Sequence, residues 1–186
     1  MSRAYRISIA ESVRRQVELA DGVQSTLELL PILAPQRMQE ILAGELSAAG
    51  FDIQDGVAVR REEDGVDIQV DLKKATVTAR IVKQESIEID EQRTVRVEEE
   101  HLEEGTAAHK HKLKQQLERQ ADQTQKRLQQ EVTEQLKKKL LDLQHEIDQL
   151  VNRTTAAALK EKAAQLGEIE DISEGADGSL TIKVRV

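Results

Sequence analysis

The stretch from Thr106 to Leu166 contains neither glycine nor proline and is rich in Gln, Glu, Lys, Leu and Ala. Taking the strongest apolar residue in each turn gives Leu113, Leu117, Ala121, Thr124, Leu128 and Val132, then Leu136, Leu140, Leu143, Ile147, Leu150 and Thr154, with every step three or four residues long. Only a helix keeps such positions on one face, and the intervening Gln, Glu and Lys residues are themselves good helix formers. At 1.5 Å per residue, an unbroken helix over 106–166 spans roughly 90 Å. A chain of 186 residues cannot build a core of that length, so the helix must either stand away from the body or fold back on it. The candidate fold-back is Asn152-Arg153-Thr154-Thr155, where a threonine would cap a second, Ala-rich helix ending at Leu166.

From Leu113 to Ile147 nine steps cover 34 residues. That is about 3.8 residues per turn, where a left-handed coiled coil needs 3.5, so a parallel zipper is not the natural reading. The stripe is narrow, mostly one leucine per turn in a polar background. Such a stripe serves either as packing against the chain's own sheet or as a self-association surface. The interaction candidates are Leu128, Val132, Leu136, Leu140, Leu143 and Ile147.

The residues before this helix read as β. Tyr5, Ile7, Ile9, Val13, Val17 and Leu19 alternate with polar residues, Asp21-Gly22 follows, and then come Val23, Leu27 and Leu29. An Asp-Gly step between alternating runs predicts a hairpin, hence two or three antiparallel strands over 3–30. Pro35 suits the first turn of a short helix whose face is Met38, Ile41, Leu42, Leu46 and Ala49, with Gly50 as its stop. Val57 and Val59, Asp64-Gly65, then Val66, Ile68, Val70 and Leu72 predict a second hairpin. Lys73-Lys74 predicts a further turn, and alternation continues through Val77, Ile81, Ile87, Ile89, Val95 and Val97. Glu98 to Gly105 reads as an acidic hinge. After Gly167, Ile169, Ile172, Asp177-Gly178, Leu180, Ile182 and Val184 predict a last hairpin that returns to the sheet. The fold expected is α+β, with a β-rich head over 1–105, a long helical, coiled-coil-like segment over 106–166, either continuous or broken at Asn152, and a hairpin over 167–186.

Composition narrows the function. The aromatic residues are Tyr5 and Phe51 alone, which argues against a stacking site for bases, sugars or flavins. Without cysteine there is no disulfide framework and no thiolate site. The net charge of −8 divides into −9 over 1–105, +4 over the helix and −3 after it. An acidic head and the short Lys137-Lys138-Lys139 cluster make a poor nucleic-acid surface. The start lacks an apolar signal core and no apolar run reaches bilayer length, so a soluble, cytoplasmic protein without membrane insertion is expected.

The histidines are His101, His109, His111 and His145. His109 and His111 point about 200° apart on a helix and cannot chelate one ion there, so no metal or other cofactor is expected. P-loop, G-x-S-x-G and H-E-x-x-H patterns are all lacking, and the sequence gives no catalytic residue. If a polar site exists, Arg60, Arg61, Arg80 and Arg96 are where it would lie.

Met1 to Ile7, the helix end at Leu46–Gly50, and Leu159, Ala163, Gly167 and Ile169 followed by Asp177-Gly178-Ser179-Leu180-Thr181-Ile182-Lys183-Val184-Arg185 together carry a resemblance. In these regions, about a third of the chain, the sequence resembles small uncharacterised conserved proteins of cyanobacteria and plastids. It also resembles accessory domains of bacterial systems that join a membrane AAA protease, a MoxR-type AAA ATPase and a von Willebrand factor A protein. The resemblance implies a partner of AAA machinery and carries over no catalytic residue. The function expected is a non-catalytic interaction or adaptor module, with a protein partner or a second copy of itself. The alternatives are a structural protein assembled through the helix and, less favoured, an enzyme or small-ligand binder.

Overall fold

The structure is a computed structural model that describes residues 4–175 and 180–185. Its strands are β1 (Ala4–Thr26), β2 (Asp52–Gln54), β3 (Val57–Arg61), β4 (Val66–Asp71), β5 (Thr76–Glu98), β6 (Glu168–Glu174) and β7 (Leu180–Arg185), and its helices are α1 (Pro35–Ala48) and α2 (Leu102–Leu166). Five strands form an antiparallel sheet in the order β1-β5-β4-β3-β2. The last two pair only with each other among the described residues. The α+β class, the short helix, the long helix and the terminal hairpin are therefore as expected, but the hairpin is a sheet of its own and does not extend the larger one.

Contacts gather the chain into two compact units. One holds Met1–Asp21 and Val82–Gln135, the other Gly22–Ile81 and Leu136–Val186. β1, β5 and α2 each contribute to both units.

In the first unit β1 and β5 present one apolar side to α2. Ile9, Val13, Ile87, Leu113, Leu117 and Ala121 form its core, flanked by Ile7, Val17, Ile89, Val95 and Leu128. Period-two alternation places Arg15 on the same inner side, where its guanidinium meets Asp122 at 2.6 Å. Asp21 accepts a 2.7 Å hydrogen bond from the Thr133 hydroxyl. The expected hairpin at Asp21-Gly22 is absent, for β1 runs through it as one strand of 23 residues. A two-residue type I′ turn needs positive φ at both central residues, and neither Asp21 nor Gly22 has it. That turn lies instead at Asp55-Gly56, with φ of 50° and 80°, joining β2 to β3.

The acidic hinge is a 3-10 turn over Glu99–His101 followed directly by α2. The helix therefore begins before Thr106 and passes through Gly105. A Cβ at Gly105 would lie 2.6 Å from a methyl of Val97, so the residue is small because the end of β5 packs against the first turns of the helix.

The second unit packs α1 and the later part of α2 with the short strands. Val66, Ile68 and Val70 of β4 and Val77, Ala79 and Ile81 of β5 are buried together with Met38, Leu42 and Leu46 of α1. Proline stands first in α1, and the helix closes with the amides of Gly50 and Phe51 on the carbonyls of Ser47 and Leu46, the paired bonds of a Schellman close. The Asp64-Gly65 hairpin is present, with Arg61 opposite Asp67, and the loop after β4 is held by Asp71, which accepts the amides of Lys73 and Lys74. α2 does not break at Asn152 but continues to Leu166. Thr154 caps nothing; it is fully buried, and its hydroxyl has no hydrogen-bond partner among the described residues. Gly167 follows the helix end as expected, while the Asp177-Gly178 turn lies outside the described residues.

Candidate functional site: a groove beside the end of β1

The stripe on α2 faces the chain's own strands. Leu128 packs on the first unit's core, and Val132, Leu136, Leu143 and Ile147 are buried. Leu140 is half-buried, and with Leu143 and Ile147 it forms the apolar wall of a groove of about 850 Å³ in the second unit. Farther along the same wall stand Gln144, Asp148, Val151 and Asn152. The opposite wall is the end of β1, Val23, Ser25 and Thr26, continuing into Leu27 and Glu28, with Val77 and Ala79 of β5 behind it. Sequence periodicity found the helical wall. It does not find the strand wall, because the Asp21-Gly22 step predicts a turn before Val23.

A charged clasp in the same unit holds α2 to the sheet. Arg60 donates to both carboxylate oxygens of Glu146, at 2.5 and 2.7 Å, to Glu62 at 2.8 Å and to the Ala49 carbonyl at 3.0 Å. Its guanidinium lies 4.4 Å from the centre of the Phe51 ring, a favourable cation–π placement. Lys139 donates to the other oxygen of Glu62 at 2.7 Å. The hydrogen bonds to Glu146 hold Arg60 more firmly charged, against the opposing effect of burial. The bond from Lys139 lowers the pKa of Glu62, and that same bond raises the pKa of Lys139. Two further ion pairs, Arg153 with Glu45 and Arg37 with Glu161, both at 2.9 Å, tie α2 to α1.

Of the arginines singled out by sequence, Arg60 and Arg61 line one open pocket around Glu62, Lys139 and Glu146, and Arg80 and Arg96 are not part of it. Arg60 and Arg61 are successive strand residues on opposite sides of the sheet, and Arg61 meets Asp67 at 3.4 Å. Arg80 pairs in register with that same Asp67 on the exposed face, and Arg96 belongs to the other unit. Among the described residues no three His, Asp or Glu side chains gather as metal ligands. His111 and His145 each share a 2.9 Å hydrogen bond with the glutamine one helical turn on, Gln115 and Gln149. Among the described residues no helix is long and apolar enough to cross a membrane.

The model of one family, FtsH ternary system domain X5, matches residues 1–186. The chain belongs to that family. Membership places it in an FtsH-linked system of several proteins, FtsH being an AAA protease. Of the two resemblances read from the sequence, the family match carries the one to AAA-protease systems. A domain of a ternary system has protein partners. No curated protein and no solved structure matches the chain.

Proposed function

We propose that the chain is a non-catalytic adaptor, a module that binds another protein of its FtsH-linked system through the groove between the end of β1 and α2. The observation that carries this reading is the groove itself. It is about 850 Å³ in volume and its mixed polar and apolar lining includes three of the six contact candidates, Leu140, Leu143 and Ile147. Polar groups stand along it at Ser25, Glu28, Gln144 and Asp148.

The ionisable groups with displaced pKa values do not point to acid–base catalysis. Arg37, Arg60 and Lys139 have raised pKa values and Glu62 and Asp71 lowered ones. Each group is thereby driven further into its charged form, whereas acid–base catalysis near neutrality needs pKa values tuned toward the working pH. Reconstitution tests the proposal: the purified chain is mixed with the FtsH protease and the other proteins of the system and followed by size-exclusion chromatography with light scattering. A defined complex containing the chain is expected. Failure to enter any complex with these proteins rules the adaptor reading out.

A further inference from the structure

Sheet edges are normally blunted by charge, proline, a bulge or a covering element, since free N–H and C=O groups recruit other strands. Among the described residues β1 is an edge strand, with β5 its one neighbour in the sheet order. Within the first unit it carries Arg6, Glu11, Arg14, Arg15, Glu18 and Asp21. There α2 also reaches a backbone group of the strand, the Gln129 side chain donating to the Ala20 carbonyl at 3.1 Å. From Val23 to Thr26 the strand bears no charge and no proline, and Val23, Ser25 and Thr26 of this stretch line the groove.

The direction of the backbone follows from one hydrogen bond. The Leu27 amide donates to the Ala75 carbonyl at 2.7 Å, so at odd positions the backbone groups turn toward the β5 side. Because successive residues of a strand alternate, the N–H and C=O of Gln24 and Thr26 turn outward, along the free edge. Side chains alternate too, and Val23 and Ser25 stand in the groove. The ionisable side chains lining the groove are Glu28 and Asp148, both acidic and both exposed.

We infer that this groove takes an extended peptide segment of a partner protein, added as a further strand to β1 at Gln24–Thr26, with alternate apolar side chains directed at Leu140, Leu143 and Ile147 and Lys or Arg at Glu28 and Asp148. Main-chain hydrogen bonds supply affinity in such strand addition and the side-chain pockets supply selectivity. The inference rests on the adaptor reading and adds to it the recognition mode and the chemistry of the partner segment.

The probe is a fluorescein-labelled nine-residue peptide, Lys-Thr-Val-Thr-Val-Thr-Val-Thr-Lys, which as a strand places its lysines and valines on one face. Fluorescence anisotropy with the full chain is expected to show saturable binding, with slowed hydrogen exchange at the Gln24 and Thr26 amides. Replacing both lysines by glutamate, or N-methylating alternate residues of the peptide, is expected to weaken binding at least tenfold. Gln24→Pro removes an outward donor from an edge position where proline is tolerated. It is expected to leave the circular-dichroism melt in place and to weaken binding at least tenfold, as is Asp148→Lys.

The inference is overturned by absence of saturable binding at 1 mM peptide, by equal binding of the glutamate or N-methylated peptides, or by indifference to Gln24→Pro. It is also overturned if the chain is a dimer that Gln24→Pro makes monomeric, for the occupant is then a second copy. If Gln24→Pro still enters the reconstituted complex, the adaptor reading stands and strand addition at this edge fails. If the peptide binds as described but no complex forms, the adaptor reading fails.

Discussion

Arg60 joins three parts of the second unit through four hydrogen bonds: the end of α1 at Ala49, the β3–β4 hairpin at Glu62 and α2 at Glu146. A lysine keeps the charge but cannot form the planar fork. Arg60→Lys is expected to cost about 1–3 kcal/mol, since it leaves a half-buried carboxylate and a carbonyl without donors; urea unfolding followed by circular dichroism measures it. The clasp also sets a pH dependence. Glu62 has a folded-state pKa below its ordinary 4.5, so the unfolded chain binds the proton more readily and the contribution is fully present above that value. It is lost as the pH falls through the lower folded-state pKa. Lys139 is the mirror case: raised above 10.5, it contributes below that value and loses the contribution as pH rises through the higher folded-state one. Glu62→Gln should flatten the acid-side fall of the urea midpoint, and an unchanged acid-side slope would contradict the assignment. Thr154 makes the opposite case, a buried hydroxyl without a partner among the described residues. Thr154→Val is expected to raise stability by about 1 kcal/mol, because the desolvation penalty of the hydroxyl disappears while the shape is kept. None of these three roles was legible in the sequence. Arg60 and Glu146 lie 86 positions apart, and periodicity carries no information about which charges meet.

At the scale of elements the sequence reading held wherever one face of a strand or helix is buried. Val66, Ile68 and Val70 alternate because that side of β4 is in the core, and Met38, Leu42 and Leu46 recur at helical spacing for the same reason. Asp-Gly steps were the weak signal. Asp64-Gly65 turns, Asp21-Gly22 stays extended and Asp55-Gly56, which sequence reading passed over, makes the type I′ turn. The dipeptide permits a turn; what decides is whether the strand beyond it gains more by continuing along its neighbour. Gly105 shows how a glycine can mislead about a boundary. Alanine there gains up to about 1 kcal/mol of helix propensity, yet its Cβ would stand 2.6 Å from Val97. Gly105→Ala is expected to destabilise the fold by about 1–2 kcal/mol from overpacking. Pairing it with Val97→Ala should recover part of that loss in a double-mutant cycle followed by urea unfolding. The groove was half legible. Its helical wall follows from spacing, while its strand wall depends on β1 reaching past Asp21.

At the scale of the whole molecule, the stripe on α2 is spent largely inside the chain. Leu136 is 3% exposed, whereas Leu141, five residues on, is 72% exposed. Leu136→Glu is therefore expected to unfold the chain, by more than about 4 kcal/mol for an unpaired charge in the core, whereas Leu141→Glu should leave the helical circular dichroism and the melt unchanged. A stable Leu136→Glu protein that merely dissociates would instead return the stripe to assembly. The course of the chain has a further consequence. Two strands of 23 residues and a helix of 65 pass from one compact unit into the other without interruption. No single cut in the polypeptide separates the units, and neither can be excised without severing all three elements. For recombination between genes the chain thus offers no internal joint: its two units are inherited, exchanged or lost as one piece.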